Sequence, residues 1–112
     1  MCKSAAEHDL KHLKHYMKDI VENTELLMAP GKTVIRYEPM GVVAIYSAWN
    51  YPVMTALKPL VQSLTTGNAV ILKPSEIAAA TSAVIKKFID RYFDSEFVRC
   101  IEGGIDVAVE LN

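Results

Sequence analysis

Two short stretches of this sequence place polar side chains where a strand ends. Asn50 lies in Ala48-Trp49-Asn50-Tyr51-Pro52, directly after the apolar run 41–46. Lys73 and Glu76 lie in Lys73-Pro74-Ser75-Glu76, directly after Ala69-Val70-Ile71-Leu72. An amide held at a strand end can aim N–H donors at a carbonyl oxygen that becomes negatively charged. It can equally bond its own backbone and do no more than shape a turn. A cation and a carboxylate at such an edge can hold sugar hydroxyls. They can also simply solvate the strand end, with Glu76 favouring the positive start of the next helix.

A nucleophile is harder to find. Cys100 falls inside an apolar strand, where a thiol usually serves as a small, inert hydrophobe. Cys2 is terminal, and no Ser/His/Asp constellation is visible. His8, His12 and His15 are spaced i, i+4, i+7 and share one helix face. That spacing suits a metal ion, yet no carboxylate or thiol completes the set and no supporting second layer is legible. The expectation is a solvated face and no metal site.

The elements that must position these residues follow from hydrophobic period and turn chemistry. Residues 3 to 21 read as an amphipathic helix with Ala6, Leu10, Leu13, Met17, Ile20 and Val21 in one stripe, flanked by Lys11, Lys14 and Lys18. Ala29-Pro30-Gly31-Lys32 is a turn, and 33–38 a short strand closed by Pro39. Residues 41–46 are apolar on both faces, the pattern of a parallel strand covered on both sides. A helix follows with Leu57, Leu60, Val61 and Leu64 inward. Pro59 makes it either start late or bend near Thr55. Gly67-Asn68 stops it. Strand 69–72, a helix over about 77–93 with Ile77, Val84, Ile85, Phe88, Ile89 and Tyr92 inward, strand 97–101 and a last helix near Ile105 complete the chain. The order β-α-β-α-β-α predicts an α/β fold, a partial doubly wound, Rossmann-like parallel sheet preceded by a helix and a short strand.

Bulk properties narrow the class. The 112 residues allow one domain, and 51% hydrophobic with 22% charged residues is the composition of a folded globular chain. A net charge of −1 argues against nucleic acid or an anionic membrane as partner. No apolar run approaches the roughly 20 residues that span a bilayer. The charged first segment has no signal-like apolar core, and two cysteines make no disulfide framework, so an intracellular, cytoplasmic setting is expected. A G-x-G-x-x-G phosphate fingerprint is absent, so no motif argument for dinucleotide binding is available.

The motifs taken together resemble the aldehyde dehydrogenase superfamily. The resemblance rests on Tyr37-Glu38-Pro39-Met40-Gly41, Trp49-Asn50-Tyr51-Pro52, Pro59-Leu60, Gly67-Asn68-Ala69-Val70 and Lys73-Pro74-Ser75-Glu76, in order over residues 5 to 112. It is nearest to the class 3 or fatty-aldehyde branch. It implies NAD(P)-dependent oxidation of an aldehyde to a carboxylic acid, through a cysteine nucleophile and a glutamate base. It further implies that Asn50 stabilises the oxyanion and that Lys73 and Glu76 hold the adenosine ribose. Ser47, Ala48, Trp49 and Ser75 would line the cofactor cleft, with Gly103-Gly104 near the adenine.

The chain ends before the family's catalytic cysteine and general-base glutamate, and Cys100 is on the wrong element to replace that cysteine. Residues 1–112 thus resemble an amino-terminal piece of the cofactor domain (1–28 helical, 29–112 Rossmann-like), expected to be inactive alone. Strand 41–46 would then be an open edge, inviting self-association or pairing with another chain. The alternative is a non-catalytic interaction protein built on the same fold.

Overall fold

The computed structural model describes residues 2–112. Helix α1 (Cys2–Tyr16) is followed by strand β1 (Ile20–Glu22), a single 3₁₀ turn at Leu26–Met28 and strand β2 (Thr33–Ile35). Then come β3 (Val42–Tyr46), α2 (Pro52–Thr65), β4 (Ala69–Lys73), a 3₁₀ turn at Glu76–Ala78, α3 (Ala79–Tyr92), β5 (Val98–Cys100) and α4 (Ile105–Glu110). β3, β4 and β5 form a parallel sheet in that order, and β1 and β2 form a separate antiparallel ribbon. The α/β class and the parallel half-sheet expected from the sequence are both present.

One face of the sheet carries the core. Val43 and Ile45 of β3 lie beside Val70 and Leu72 of β4, which lie beside Val98 and Cys100 of β5. The period-2 alternation of a strand puts all six on one side. That side packs against Ala56 and Leu60 of α2 and Ile85 and Ile89 of α3. Leu60 is 2% exposed, and burying a leucine so completely stabilises by roughly 1.5–3 kcal/mol.

The other face departs from expectation. Val42, Ala44 and Tyr46 are exposed, so β3 is covered on one side and not on both. Among the described residues β3 is also an edge strand, paired only with β4. Its apolar run is legible locally, whereas what covers each face is decided by the rest of the fold.

The amino-terminal region needs a second correction. The helix ends at Tyr16, and Ile20 and Val21, read as the end of its apolar stripe, are extended and pair with Ile35 and Val34. Asp19 and Arg36 close the ribbon with a two-pronged ion pair, Nε to Oδ1 at 2.8 Å and Nη2 to Oδ2 at 2.6 Å. Leu10 and Met17 are exposed as well. Among the residues expected inward on α3, Ile85 and Ile89 are buried, whereas Ile77, Val84, Phe88 and Tyr92 are exposed. The 77–93 helix is also split: Ile77 belongs to the 3₁₀ turn, which rotates it off the α3 stripe. α2 runs unbroken from Pro52 through Pro59 instead of starting after it, with Pro52 at its first turn, where a missing N–H is harmless.

Candidate functional site

The parallel register sets the site. Tyr46 lies beside Lys73, so β3 and β4 end at one edge of the sheet. One more rung follows, the Ser47 N–H donating to the Lys73 carbonyl at 3.0 Å. The Ser47 hydroxyl is buried and has no hydrogen-bond partner among the described residues. An unpaired buried polar group costs about 1–3 kcal/mol, so this oxygen favours a polar group arriving from outside.

Lys73 is the unusual charge of the structure. Its side chain is 6% exposed, while that of Glu76 is 51% exposed. Nζ donates to Glu76 Oε2 at 3.1 Å and reaches the Pro74 carbonyl at 3.5 Å. An ammonium carries three donors, so one remains for a ligand. The Glu76 carboxyl is held below the usual carboxylate range, first by its own backbone N–H and then by the Lys73 ammonium. The segment between them is fixed from both ends. The Ser75 hydroxyl accepts from the Ile77 N–H at 3.3 Å, and the Ser75 carbonyl accepts from the buried Ser82 hydroxyl at 2.8 Å.

Asn50 and Trp49 stand exposed on the adjoining bend, with Ala48. The turn is held not by Asn50 but by Thr55, whose hydroxyl lies 3.1 Å from the Ala48 carbonyl and 3.0 Å from that of Tyr51. The Asn50 amide makes no hydrogen bond to the turn among the described residues, which leaves its N–H donors available. The structure thus brings Ser47, Lys73, Ser75 and Glu76 into one cluster, with Ala48, Trp49 and Asn50 at the same sheet edge.

Cys100 is buried in β5, on the helix-facing side with Leu72. Burial pushes its thiol up to about 11, against the opposing pull of the Lys86 charge. A thiol so held is no nucleophile at neutral pH. His8, His12 and His15 are exposed. Among the described residues, no group of three or more His, Cys, Asp or Glu side chains is placed to hold a metal ion. No helix of the described residues is long and apolar enough to cross a membrane.

Sequence reading missed three supporting residues. Asn68 was legible only as half of a Gly-Asn stop, yet its Oδ1 accepts from the Gly41 N–H at 3.0 Å and its Nδ2 donates to Thr66 Oγ1 at 2.8 Å. It ties the end of α2 to the start of β3. Gly67 before it has φ +81°, which favours glycine. Ser82 and Thr55 gave no local signal, because their partners are set by the fold. A cleft of about 1170 Å³, walled by residues including Met17, Ile20, Tyr37, Met40 and Leu64, lies by Gly67 and Asn68, at the opposite end of the sheet. Size alone therefore does not pick the site.

A parallel β-α-β-α-β unit with its polar residues at the carboxyl edge of the strands defines an α/β protein of the doubly wound kind. Known proteins narrow this further. The aldehyde dehydrogenase family model matches residues 3–111. The chain belongs to the aldehyde dehydrogenase family. It is 44% identical over 104 residues to an aldehyde dehydrogenase of Craterostigma plantagineum, covering 93% of this chain and 21% of that protein. It is 43% identical over 96 residues to aldehyde dehydrogenase family 3 member H1 of Arabidopsis thaliana, covering 86% and 20%. The class 3 resemblance read from the motifs is thus supported. A substrate-bound Staphylococcus aureus AldH superposes with a TM-score of 0.95 at 34% identity, over 98% of this chain and 24% of its own. A Mycobacterium tuberculosis aldehyde dehydrogenase complexed with NAD+ shares the fold at 22% identity and a TM-score of 0.75, over 99% and 23%. The chain spans about a fifth of the length of the curated relatives it matches.

Proposed function

We infer that this edge is the cofactor and oxyanion corner of an NAD(P)-dependent aldehyde dehydrogenase, and that residues 1–112 act as one cofactor-binding unit that does not turn over by itself. The observation that carries the reading is the buried Lys73 ammonium with a donor to spare, beside the unpartnered Ser47 hydroxyl. A cation and a carboxylate 3.1 Å apart suit a sugar diol, the ammonium donating and the carboxylate accepting. Ser75 holds the backbone of that clamp, and Trp49 and Ala48 offer surface beside it. A bound NAD or NADP would accept hydride from the substrate carbon. Asn50 contributes amide donors to a carbonyl oxygen that gains negative charge, a role worth about 2.7–4 kcal/mol when such donors are preorganised. Cys100, buried and strongly disfavoured as a thiolate, supplies no nucleophile. The nucleophile and the base must come from residues outside this set.

Titration calorimetry with NAD+ and with NADP+ tests the cofactor role. Binding that is lost in Lys73→Ala supports it, and an affinity unaffected by Lys73→Ala overturns it. An aldehyde-oxidation assay tests the rest. Turnover by this chain alone, abolished in Asn50→Ala, would refute the inactivity.

The open edge of β3 favours a second reading, a non-catalytic protein that pairs with a full-length relative or with itself. Its unpaired backbone groups and the exposed Val42 and Tyr46 are what such pairing needs.

A further inference from the structure

We propose that Ser82 is a positioning residue for the Lys73–Glu76 clamp, acting through the peptide plane that joins Ser75 to Glu76. Ser82 occupies an unusual place for a hydroxyl. With Ile85 and Ile89 it forms the buried stripe of α3, at 3% exposure, where an apolar side chain would pack as well. A serine within a helix ordinarily points to solvent or bonds the carbonyl four residues back, here that of Ala78. Ser82 instead reaches seven residues back and donates to the Ser75 carbonyl at 2.8 Å. A buried hydroxyl is costly unless bonded, so this acceptor fixes its direction.

The Ser75 carbonyl shares a rigid trans plane with the Glu76 N–H, and the two point in opposite directions. Holding the oxygen from α3 therefore aims the N–H as well. That N–H is the first of the two groups that hold the Glu76 carboxyl below the usual carboxylate range. The second is the Lys73 ammonium, the charge that acts on this carboxyl among the described residues. The same carbonyl also accepts from the Ala78 N–H at 3.2 Å, which closes the 3₁₀ turn. Such a turn has poorer hydrogen-bond geometry than an α-helix, and Ser82 ties it to a helix packed on the sheet. The Glu76 side chain is 51% exposed and little constrained by packing. Its place 3.1 Å from Lys73 Nζ thus depends on the backbone beneath it.

An NMR titration of the Glu76 carboxyl in the 112-residue chain tests the positioning without any ligand. The wild-type carboxyl titrates below 4.5. Ser82→Ala moves it upward toward 4.5, and Ser82→Thr, which keeps the donor, restores it. Ser82→Ala leaves the Ser75 carbonyl its Ala78 partner, so no backbone group is stranded. Ser82→Cys, similar in size with a weak donor, shifts Glu76 as the alanine does and carries the test if the alanine cavity unfolds the chain. Thr65→Ala removes another helix hydroxyl bond of 2.8 Å, to the Val61 carbonyl, and leaves the Glu76 titration unchanged even where it lowers the melting temperature. Calorimetry with NAD+ follows the same order, a part that rests on the cofactor reading of the clamp. Ser82→Ala and Ser82→Cys weaken binding about 3- to 10-fold, the worth of one misaligned hydrogen bond. A wild-type carboxyl at its ordinary value, an unmoved Glu76 in a folded Ser82→Ala or Ser82→Cys, or an equal shift in Thr65→Ala overturns the proposal. A shifted Glu76 with NAD+ affinity unchanged in both Lys73→Met and Ser82→Ala overturns the cofactor reading and leaves the positioning role standing.

Discussion

Lys73→Met separates a binding role for this lysine from a structural one. Methionine keeps an unbranched apolar stem and removes the charge. The partner left behind is Glu76, whose side chain is 51% exposed, so its carboxylate is hydrated and not stranded. A half-exposed ion pair contributes little to stability, and the buried ammonium no longer has to be desolvated. The thermal midpoint should therefore move by less than about 5 °C. Cofactor binding should respond differently. A charge-assisted hydrogen bond from Nζ to a sugar hydroxyl is worth about 1.5–3 kcal/mol. At 1.4 kcal/mol per factor of ten, its loss weakens affinity roughly 10- to 150-fold. The variant also carries a pH signature. The depressed Glu76 pKa stabilises the fold above the ordinary value of 4.5, and that contribution is lost as pH falls through the folded value. Lys73→Met removes the lysine's share and leaves that of the backbone N–H, the larger cause, so acid unfolding shifts only modestly. Calorimetry with NAD+ beside thermal melts from neutral pH to about pH 3 reads all of this. Undiminished affinity in a folded variant, or a midpoint that collapses, would refute the reasoning.

Cys100 should resist iodoacetamide at about pH 8 in the native chain and react once unfolded, read as one versus two labelled thiols by mass. Its raised pKa implies stability fully present below 9.0 and lost as pH rises toward about 11, so Cys100→Val should flatten that alkaline decline in the melting temperature. Leu60→Ala should cost about 2–5 kcal/mol in urea unfolding, since the surrounding α2, α3 and sheet residues close only partly on the cavity. The open β3 edge should make the chain self-associate in sedimentation velocity at roughly 100 µM, and Ala44→Lys should reduce it. A monodisperse wild-type monomer with a sharp, high-temperature melt would count against the open edge.

What the sequence disclosed was local. Strands β3 and β4 were legible because each apolar run is closed by turn residues, and Leu60 because its three- and four-residue neighbours repeat. The polar cluster was legible as residue types at strand ends, whereas the part Thr55 plays in holding the turn beside Asn50 was not. What stayed hidden was non-local. Ile20 and Val21 continue the helical steps of Leu13 and Met17 perfectly well, and only pairing with Val34 and Ile35 makes them a strand. Val84 and Tyr92 lie on an apolar stripe that stays exposed among the described residues. The burial of Lys73 was equally invisible, since a strand-end lysine is ordinarily solvated.

The rung from the Ser47 N–H to the Lys73 carbonyl means that the two halves of the polar corner share one ruler. If β3 slid by a single residue along β4, Ser47 would turn to the opposite face, and Ile45 would leave the core in the same movement. Misalignment of the corner cannot occur quietly, because it ejects a buried side chain. The alignment of the corner is thereby inherited from the packing of buried side chains on the helix-facing side of the sheet. Substitutions at Ile45 or Leu72 should blur the corner even where the fold survives them.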